Sequence, residues 1–409
     1  MDYELLFVGA GPAGITGGYV ASMCDVNFVM IEAGSRMEDR DRFDPGDCVH
    51  GEGGAGLFSD GKFSFYPSGT RLWDLKRELL EEAYGFVQQL HPKFPSFPTL
   101  PTEKLEKAKT KTKTKTSTEW GIKPYPSIYL TLTDRERMIT RLTTGYQDRI
   151  RFSTRVVDIG RSDTGYSVTT LHPDRGREIY TARKLVVGGG RFIPLLFPKL
   201  SLRIPMEFFR VELGVRVEGS STNPLYTVTN LTDPKFSIAT DQYTVKTFCW
   251  CRNGETSRTE FKTDDGTIIT YSGRADFHDT ERSNFGFNLV FHDPSSIRLL
   301  RSALATKPFE IGFINSERTV PDSYAEVYSM IRTELGKFFD YHRITDEEKR
   351  ELVIKGPTIE GVGDYPITDE NMVVPGEQIY VCGDGNGKFR GLIPSMVSGG
   401  YAVIHSEQN

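Results

Sequence analysis

The stretch Tyr3–Gly14, YELLFVGAGPAG, decides the fold. A short apolar run, Tyr3 to Val8, passes straight into Gly9, Gly11 and Gly14 in G-x-G-x-x-G spacing, and the small-residue segment ITGGYVASMC follows. That order is strand, tight turn, helix. A second apolar run, VNFVMIE, ends on Glu32, completing strand, helix and strand within about 30 residues, as a βαβ unit requires. Gly9 permits the bend, Gly11 lets backbone approach a pyrophosphate, and Gly14 lets the helix pack on the strand, with Ala13 beside it in the first turn. The helix N-terminus favours the negative phosphates, and Glu32 is placed to accept from a ribose. A bare glycine triplet is also compatible with a plain turn; the strand, helix and acid in register favour a dinucleotide.

The far end of the chain bears on which dinucleotide. IYVCGDGNGKFRGLIPSMVSGGYAV, Ile379 to Val403, reads as a strand, a Gly383-Asp384 turn and a final helix whose start, near Leu392 and Ile393, faces the same cleft. Asp384 suits a ribityl hydroxyl. The helix start offers partial positive charge where a flavin accumulates negative charge on reduction. FAD is expected rather than NAD.

Between these ends the pattern changes twice. Arg71–Leu90 carries apolar residues at a period of three to four and predicts an amphipathic helix, and another is expected from near Thr133. Residues of about 91–120, with four prolines in HPKFPSFPTLP and then a Lys-Thr alternation, read as an exposed excursion. Three strand-like runs from Ile150 return to a buried parallel strand at Lys184–Val187, and alternating strands dominate from Ser201 to Lys355, with a helix near Ser323–Tyr341. The expected class is α/β: a Rossmann-like FAD-binding domain in residues 1–200 and 356–409, with an inserted, mostly antiparallel β substrate domain in 201–355.

Composition narrows the class of protein. At 409 residues and 38% apolar content the chain can bury a large core and divide in two. A net charge of -5 gives no global attraction to nucleic acid or anionic membrane, so the expected partner is a small molecule. No apolar run approaches the roughly 18 residues of a membrane span, and no leader pattern precedes Tyr3, so a cytoplasmic protein is expected. Five cysteines fit no disulfide framework.

The sequence resembles the two-dinucleotide-binding-domain flavoproteins, the glutathione reductase-like superfamily, and within it a group of FAD-dependent dehydrogenases. GEGGAGLFSDGK (Gly51–Lys62), RVELGVRVE (Arg210–Glu218), KTFCWC (Lys246–Cys251) and GDGNGKFRG (Gly383–Gly391) carry the likeness. Departures are Arg252-Asn253-Gly254 after the Cys-x-Cys, Asp384 where the group has Glu, and the lack of the group's N-terminal extension.

The resemblance implies that Gly51–Lys62 runs beneath the flavin, so that Gly54, Ala55 and Gly56 offer bare backbone to it while Ser59, Asp60 and Lys62 tune its N5 side or orient substrate. The alternative is a glycine-rich loop held by Asp60 as a turn residue. KLVVGGGR resembles the superfamily's later strand, with Gly188 and Gly189 near the adenosine or pyrophosphate half, or else a plain strand-ending turn. Val156 is implied as the main-chain partner of the adenine.

Arg390 is a candidate for holding an anionic substrate or the flavin O2, against a surface salt bridge; Lys388 is a weaker one. His278 is a candidate base or a structural histidine. Cys249 and Cys251 face one side if the strand is regular, and read as buried structural thiols, since no second ligand pair suggests a metal. No metal is expected. With no second G-x-G-x-x-G unit, NAD(P)H would act only as a transient reductant. The expected reaction is hydride transfer between the flavin and a small organic substrate, with oxygen or another acceptor reoxidising the flavin. Two alternatives stand beside it: a flavin monooxygenase, although the Asp-Gly and Gly-Asp-Ala-x-His patterns of aromatic hydroxylases are missing, and a flavin-bearing binding or RNA-associated module.

Overall fold

The computed structural model describes residues 2–98, 119–263, 265–275, 280–314 and 320–409. The Lys-Thr run and His278 lie outside them. The chain forms two compact units: Met1–Ser96, Ile128–Phe209 and Asp364–Asn409 make the first, Phe97–Ser127 and Arg210–Gly363 the second. The junctions at Phe209/Arg210 and Gly363/Asp364 fall inside single strands, Met206–Ser220 and Val353–Pro366, which run from one unit into the other without a break.

In the first unit the strand Asp2–Val8 lies between Phe28–Ile31 and Gly176–Val187, parallel to both, with Val8 opposite Ile31 on one side and Val187 on the other. Ile150–Arg151 adds beyond Phe28–Ile31, and Ile379–Val381 beyond Gly176–Val187, again parallel. Gly176–Val187 is long enough to serve twice. Its first half closes an antiparallel meander with Gly165–His172 and Arg155–Ser162. Leu6, Val8, Val29 and Ile31 pack with Ile159, Val168, Leu185 and Val381 in one buried cluster, which accounts for the unbroken apolar runs of these parallel strands.

The helices Pro12–Met23 and Leu392–Glu407 are buried along most of their lengths and pack on each other. Small residues allow this: a Cβ on Gly399 would lie 1.9 Å from the Ala13 carbonyl oxygen. The helix expected over Arg71–Leu90 is instead a 3-10 turn, Thr70–Asp74, and a helix, Arg77–Gln88. Leu75 and Lys76 are extended between them, which turns Leu75 into the core. The helix near Thr133 spans Leu132–Thr143.

The second unit holds a seven-stranded sheet in the order Phe309–Gly312, Val353–Pro366, Met206–Ser220, Arg282–Phe291, Thr244–Cys251, Lys235–Ala239, Gly121–Lys123. Met206–Ser220, Arg282–Phe291, Thr244–Cys251 and Lys235–Ala239 pair antiparallel in turn. The helix Asp322–Tyr341 covers one face, where Phe338 meets Phe236, Phe285 and Phe287 at ring distances of 5.4, 6.0 and 5.8 Å. The opposite face carries Glu212, Arg216, Glu218, Asn284 and Asn288, all buried. A separate hairpin, Glu255–Thr263 with Gly266–Arg274, bonds to that face through Thr256 N–H to Glu218 and Ile359 N–H to Thr270.

The described flanks of the expected exposed excursion are mostly open, as read, with Phe94 and Trp120 the buried exceptions. Phe94 sits against Phe63 and Phe65, and Trp120 against Phe338 at 4.8 Å, because aromatic rings gain more from packing than the flanking prolines and lysines gain from water.

Candidate functional site

The first strand ends at Val8, and Gly9 turns the chain at φ +96°, donating its N–H to Ile31 O at 2.8 Å. A Cβ on Gly9 would stand 2.9 Å from Gly188 O, and one on Gly14 only 1.8 Å from Gly9 O. Strand, turn and helix touch through backbone alone. The helix starts at Pro12, with Gly11 at its N-cap and no side chain capping it, so its first amides keep their partial positive charge for a ligand.

Glu32 is buried and accepts from three backbone amides: Ala10 at 2.6 Å on one oxygen, Gly34 at 2.8 Å and Gly51 at 2.9 Å on the other. Its first task in this structure is to tie the glycine turn to the two loops beside it. A carboxylate has about four acceptor sites, so capacity for a ribose hydroxyl is left on the oxygen that takes Ala10.

The glycine-rich segment lies directly against the turn. Gly53 donates to Ala10 O at 2.9 Å, and a Cβ on Gly54 would come within 2.9 Å of Gly11 Cα. Gly54–Gly56 forms a 3-10 turn, and a Cβ on Gly56 would meet Leu392 Cδ2 at 2.7 Å and Pro12 Cγ at 3.4 Å. The segment is therefore held between the first helix start and the last.

Two arginines that the sequence reading missed hold this segment. Arg40, buried, donates to the carbonyls of Asp47, Glu52 and Gly54, and its guanidinium stands 4.9 Å over the Phe58 ring. Burial pulls its pKa down to about 10, against the opposing pull of Glu32, Asp47 and Glu52. Arg135, also buried, donates to the carbonyls of Leu57 and Ser59 and more weakly to Gly56. In a trans peptide the C=O and the next N–H point opposite ways. With Gly54 C=O on Arg40, the Ala55 N–H points away from that clamp, and Ala55 is exposed.

The hydroxyl of Ser59 donates to Gly56 O at 2.9 Å and accepts from Gly61 N at 3.2 Å, which fixes the exit of the segment. Asp60 and Lys62 form an ion pair at 2.9 Å with side chains 8% and 3% exposed, and Asp60 also accepts from the Lys62 amide. The pair neutralises itself.

The later crossing converges on the same turn. Gly188 donates to Val8 O at 2.8 Å and would meet Ala13 Cβ if it bore a Cβ of its own; Gly189 lies against Ile193. Gly383, at φ +62°, donates to Ser398 Oγ at 3.0 Å and packs near Ala13. Asp384 is bracketed by two cations, Arg390 Nε at 3.1 Å and Arg191 Nε at 3.4 Å. Arg390 is thus joined to Asp384 itself, and Arg191 is a third residue that sequence reasoning passed over. The last helix starts at Leu392 without a side-chain cap, and Ile393 is buried.

Lys388 donates to Thr368 Oγ1 at 3.3 Å, and burial lowers its pKa. Val156 is buried opposite Thr170, at a register shift in its strand. These contacts gather Gly9, Gly11, Ala13, Gly54, Gly56, Gly188, Gly383 and Leu392 in one place. Val156 belongs to the buried cluster that also holds Val8 and Ile31, and His278 lies outside the described residues.

The two strand thiols differ from expectation. Cys249 has φ +48° and the pairing slips between Phe248 and Cys251, so the alternation breaks: Cys251 is buried, Cys249 only partly. None of the five cysteines takes part in a disulfide. Among the described residues no group of three or more His, Cys, Asp or Glu is placed to hold a metal ion, and no helix is long and apolar enough to cross a membrane.

Neither a protein-family model nor a curated protein matches the chain. Solved structures do. A protein from Photorhabdus luminescens described as an FAD-containing monooxygenase matches at 11% identity and TM-score 0.44, over 99% of this chain and 88% of its own. A flavoprotein/dehydrogenase from Cytophaga hutchinsonii matches at 12% identity and TM-score 0.43, over 100% and 78%. A flavin-dependent brominase matches at 11% identity and TM-score 0.47, over 100% and 79%. With identities this low and TM-scores this modest, the function rests on the chain's own geometry.

Proposed function

We propose that the protein is an FAD-dependent oxidoreductase acting on a small organic molecule. One observation carries the reading: two uncapped helix starts, at Gly11-Pro12 and Gly391-Leu392, meet the same bare segment, Gly54–Gly56, on its two sides. A dinucleotide with a pyrophosphate and a second polar ring system uses both starts, whereas a single phosphate uses one. The residues present fit the group: a Cβ on Gly9 or Gly54 would strike Gly188 or Gly11, so the close-packed backbone turn that would approach the pyrophosphate depends on glycine at both positions.

In this reading Gly11 to Gly14 and the first helix start hold the pyrophosphate, and Glu32 holds the adenosine ribose with its remaining acceptor. Asp384, kept in place by Arg191 and Arg390, takes the ribityl hydroxyls. The excess of one positive charge in that trio suits the phosphates nearby. Ala55 N–H and the start at Leu392 face the ring system. Bound FAD supplies two-electron chemistry at N5 and, once reduced, reactivity toward oxygen. The Asp60–Lys62 pair, neutral and buried, orders the end of the loop and keeps water from it.

Two reaction classes share this site. Dehydrogenation needs a substrate that reduces the flavin and an acceptor, oxygen or another, that reoxidises it; monooxygenation needs NAD(P)H to reduce the flavin, oxygen, and a substrate that takes one oxygen atom. The neighbours' names include a dehydrogenase, a monooxygenase and a brominase. Anaerobic mixing of the yellow protein with NADH, NADPH and a metabolite panel separates the classes. Bleaching by a metabolite alone gives a dehydrogenase. Bleaching by NAD(P)H, with oxygen incorporated into product on aeration, gives a monooxygenase. FAD that no reductant reaches would contradict both and leave a binding module.

A further inference from the structure

Among the described residues, the second unit holds a cation with no counter-charge. Arg216 lies mid-strand on the polar face of the sheet and is 0% exposed. Its Nη2 donates to Asn284 Oδ1 and to Cys249 O, both neutral acceptors. Nε and Nη1 are buried and have no hydrogen-bond partner among the described residues. The guanidinium has five N–H donors, so those two nitrogens leave most of its donor capacity unused.

The surroundings are arranged around that group. Asn284 Nδ2 donates to Gly254 O at 2.9 Å, which fixes its Oδ1 toward the arginine. The positive φ at Cys249 and the register shift there put its carbonyl within 3.1 Å of Nη2. Above it lies Gly273 of the covering hairpin, where a Cβ would stand 2.4 Å from Nη2. The Phe248 ring centre is 5.7 Å from the guanidinium carbon.

The carboxylate two residues along the same face is already taken. Glu218 Oε1 meets Arg282 at 2.6 Å and Lys355 at 3.1 Å, and its Oε2 accepts from Thr256 N at 2.6 Å. A buried charge left without a partner is costly even after local relaxation. Chains keep such a group where something else completes it.

We propose that Arg216 anchors a carboxylate, so that the second unit takes a carboxylate-bearing small molecule beneath the hairpin Glu255–Arg274. The proposal rests on reading that unit as the substrate-binding part of the flavoprotein. The planar fork matches a carboxylate better than a spherical ion, and the neutral acceptors on Nη2 orient it without cancelling its charge.

The experiment uses the FAD-loaded full chain. Its melting temperature is followed against sodium acetate and sodium benzoate, with acetamide, benzamide and equal sodium chloride as controls. The wild type should be stabilised by the carboxylates, saturably, and not by the amides or chloride, because a ligand of the native state raises stability as it fills its site. Arg216→Met should remove the carboxylate response, raising the apparent Kd by about tenfold or more, yet melt no lower than wild type without ligand, since it replaces an uncompensated charge by an apolar chain. Arg216→Lys should recover part of the response.

Equal effects of benzoate, benzamide and chloride on the wild type would overturn the proposal, as would an unchanged carboxylate response in Arg216→Met. A loss of ligand-free stability in Arg216→Met, with no carboxylate effect in wild type, would make the guanidinium a structural strut. FAD content is read from the same samples: a yellow protein without a carboxylate response fails this proposal alone, and a colourless protein fails the flavin reading.

Discussion

A few side chains set the geometry of the glycine turn, and Arg40 is the most informative of them. Its fork collects carbonyls from Asp47, Glu52 and Gly54, so one residue shapes eight positions of loop. Lysine would keep the charge and lose the fork. Arg40→Lys is expected to destabilise by on the order of 2 kcal/mol and to lower FAD occupancy, both measurable by thermal melting of the purified protein with flavin quantified. No spacing rule ties an arginine to the carbonyls of a distant loop, which is why Arg40, Arg135 and Arg191 were not legible in the sequence while the glycines were. Glu32 was legible as an acid at the right distance, but not as the acceptor of three amides. Asp384→Asn removes the charge that holds Arg191 and Arg390; the fold should survive, and FAD should bind on the order of tenfold more weakly in equilibrium titration.

Close backbone approach governs the elements. The helices Pro12–Met23 and Leu392–Glu407 touch where Gly399 faces Ala13, so Gly399→Ala must push them apart and should cost about 1–3 kcal/mol, read as a lower denaturant midpoint with unchanged slope. In the second unit His342 ends the helix Asp322–Tyr341, a position where the dipole favours a charged ring. Burial against Phe236 and Phe338 wins, and its pKa is lowered. The unfolded chain then takes up a proton near the ordinary value of 6.5 while the folded chain does not, so stability present above pH 6.5 is lost as pH falls toward the lowered value. His292 and His405 are lowered by burial in the same direction. His342→Phe should lessen the drop in melting temperature below pH 6.5; an unchanged profile would remove His342 from its cause. Elements with strong periodicity, such as Asp322–Tyr341, were legible nearly to the residue. The helix expected from Arg71 was not, because the apolar spacing continues through Leu75 although the backbone there is extended.

At the scale of the molecule, the alternation of parallel and antiparallel runs made two units legible, but not their junctions, which fall inside continuous strands. The central claim concerns the first unit: a dinucleotide bound between two helix starts and the bare segment Gly54–Gly56. Its most direct test is equilibrium titration of the flavin-stripped chain with FAD, beside Gly54→Val, whose side chain would press on Gly11. The account predicts saturation at about one FAD per chain for the wild type, with a shifted flavin band, and at least roughly a hundredfold weaker binding for the folded variant. A wild-type chain that stays colourless, or a Gly54→Val chain that binds FAD as tightly as wild type, would contradict it.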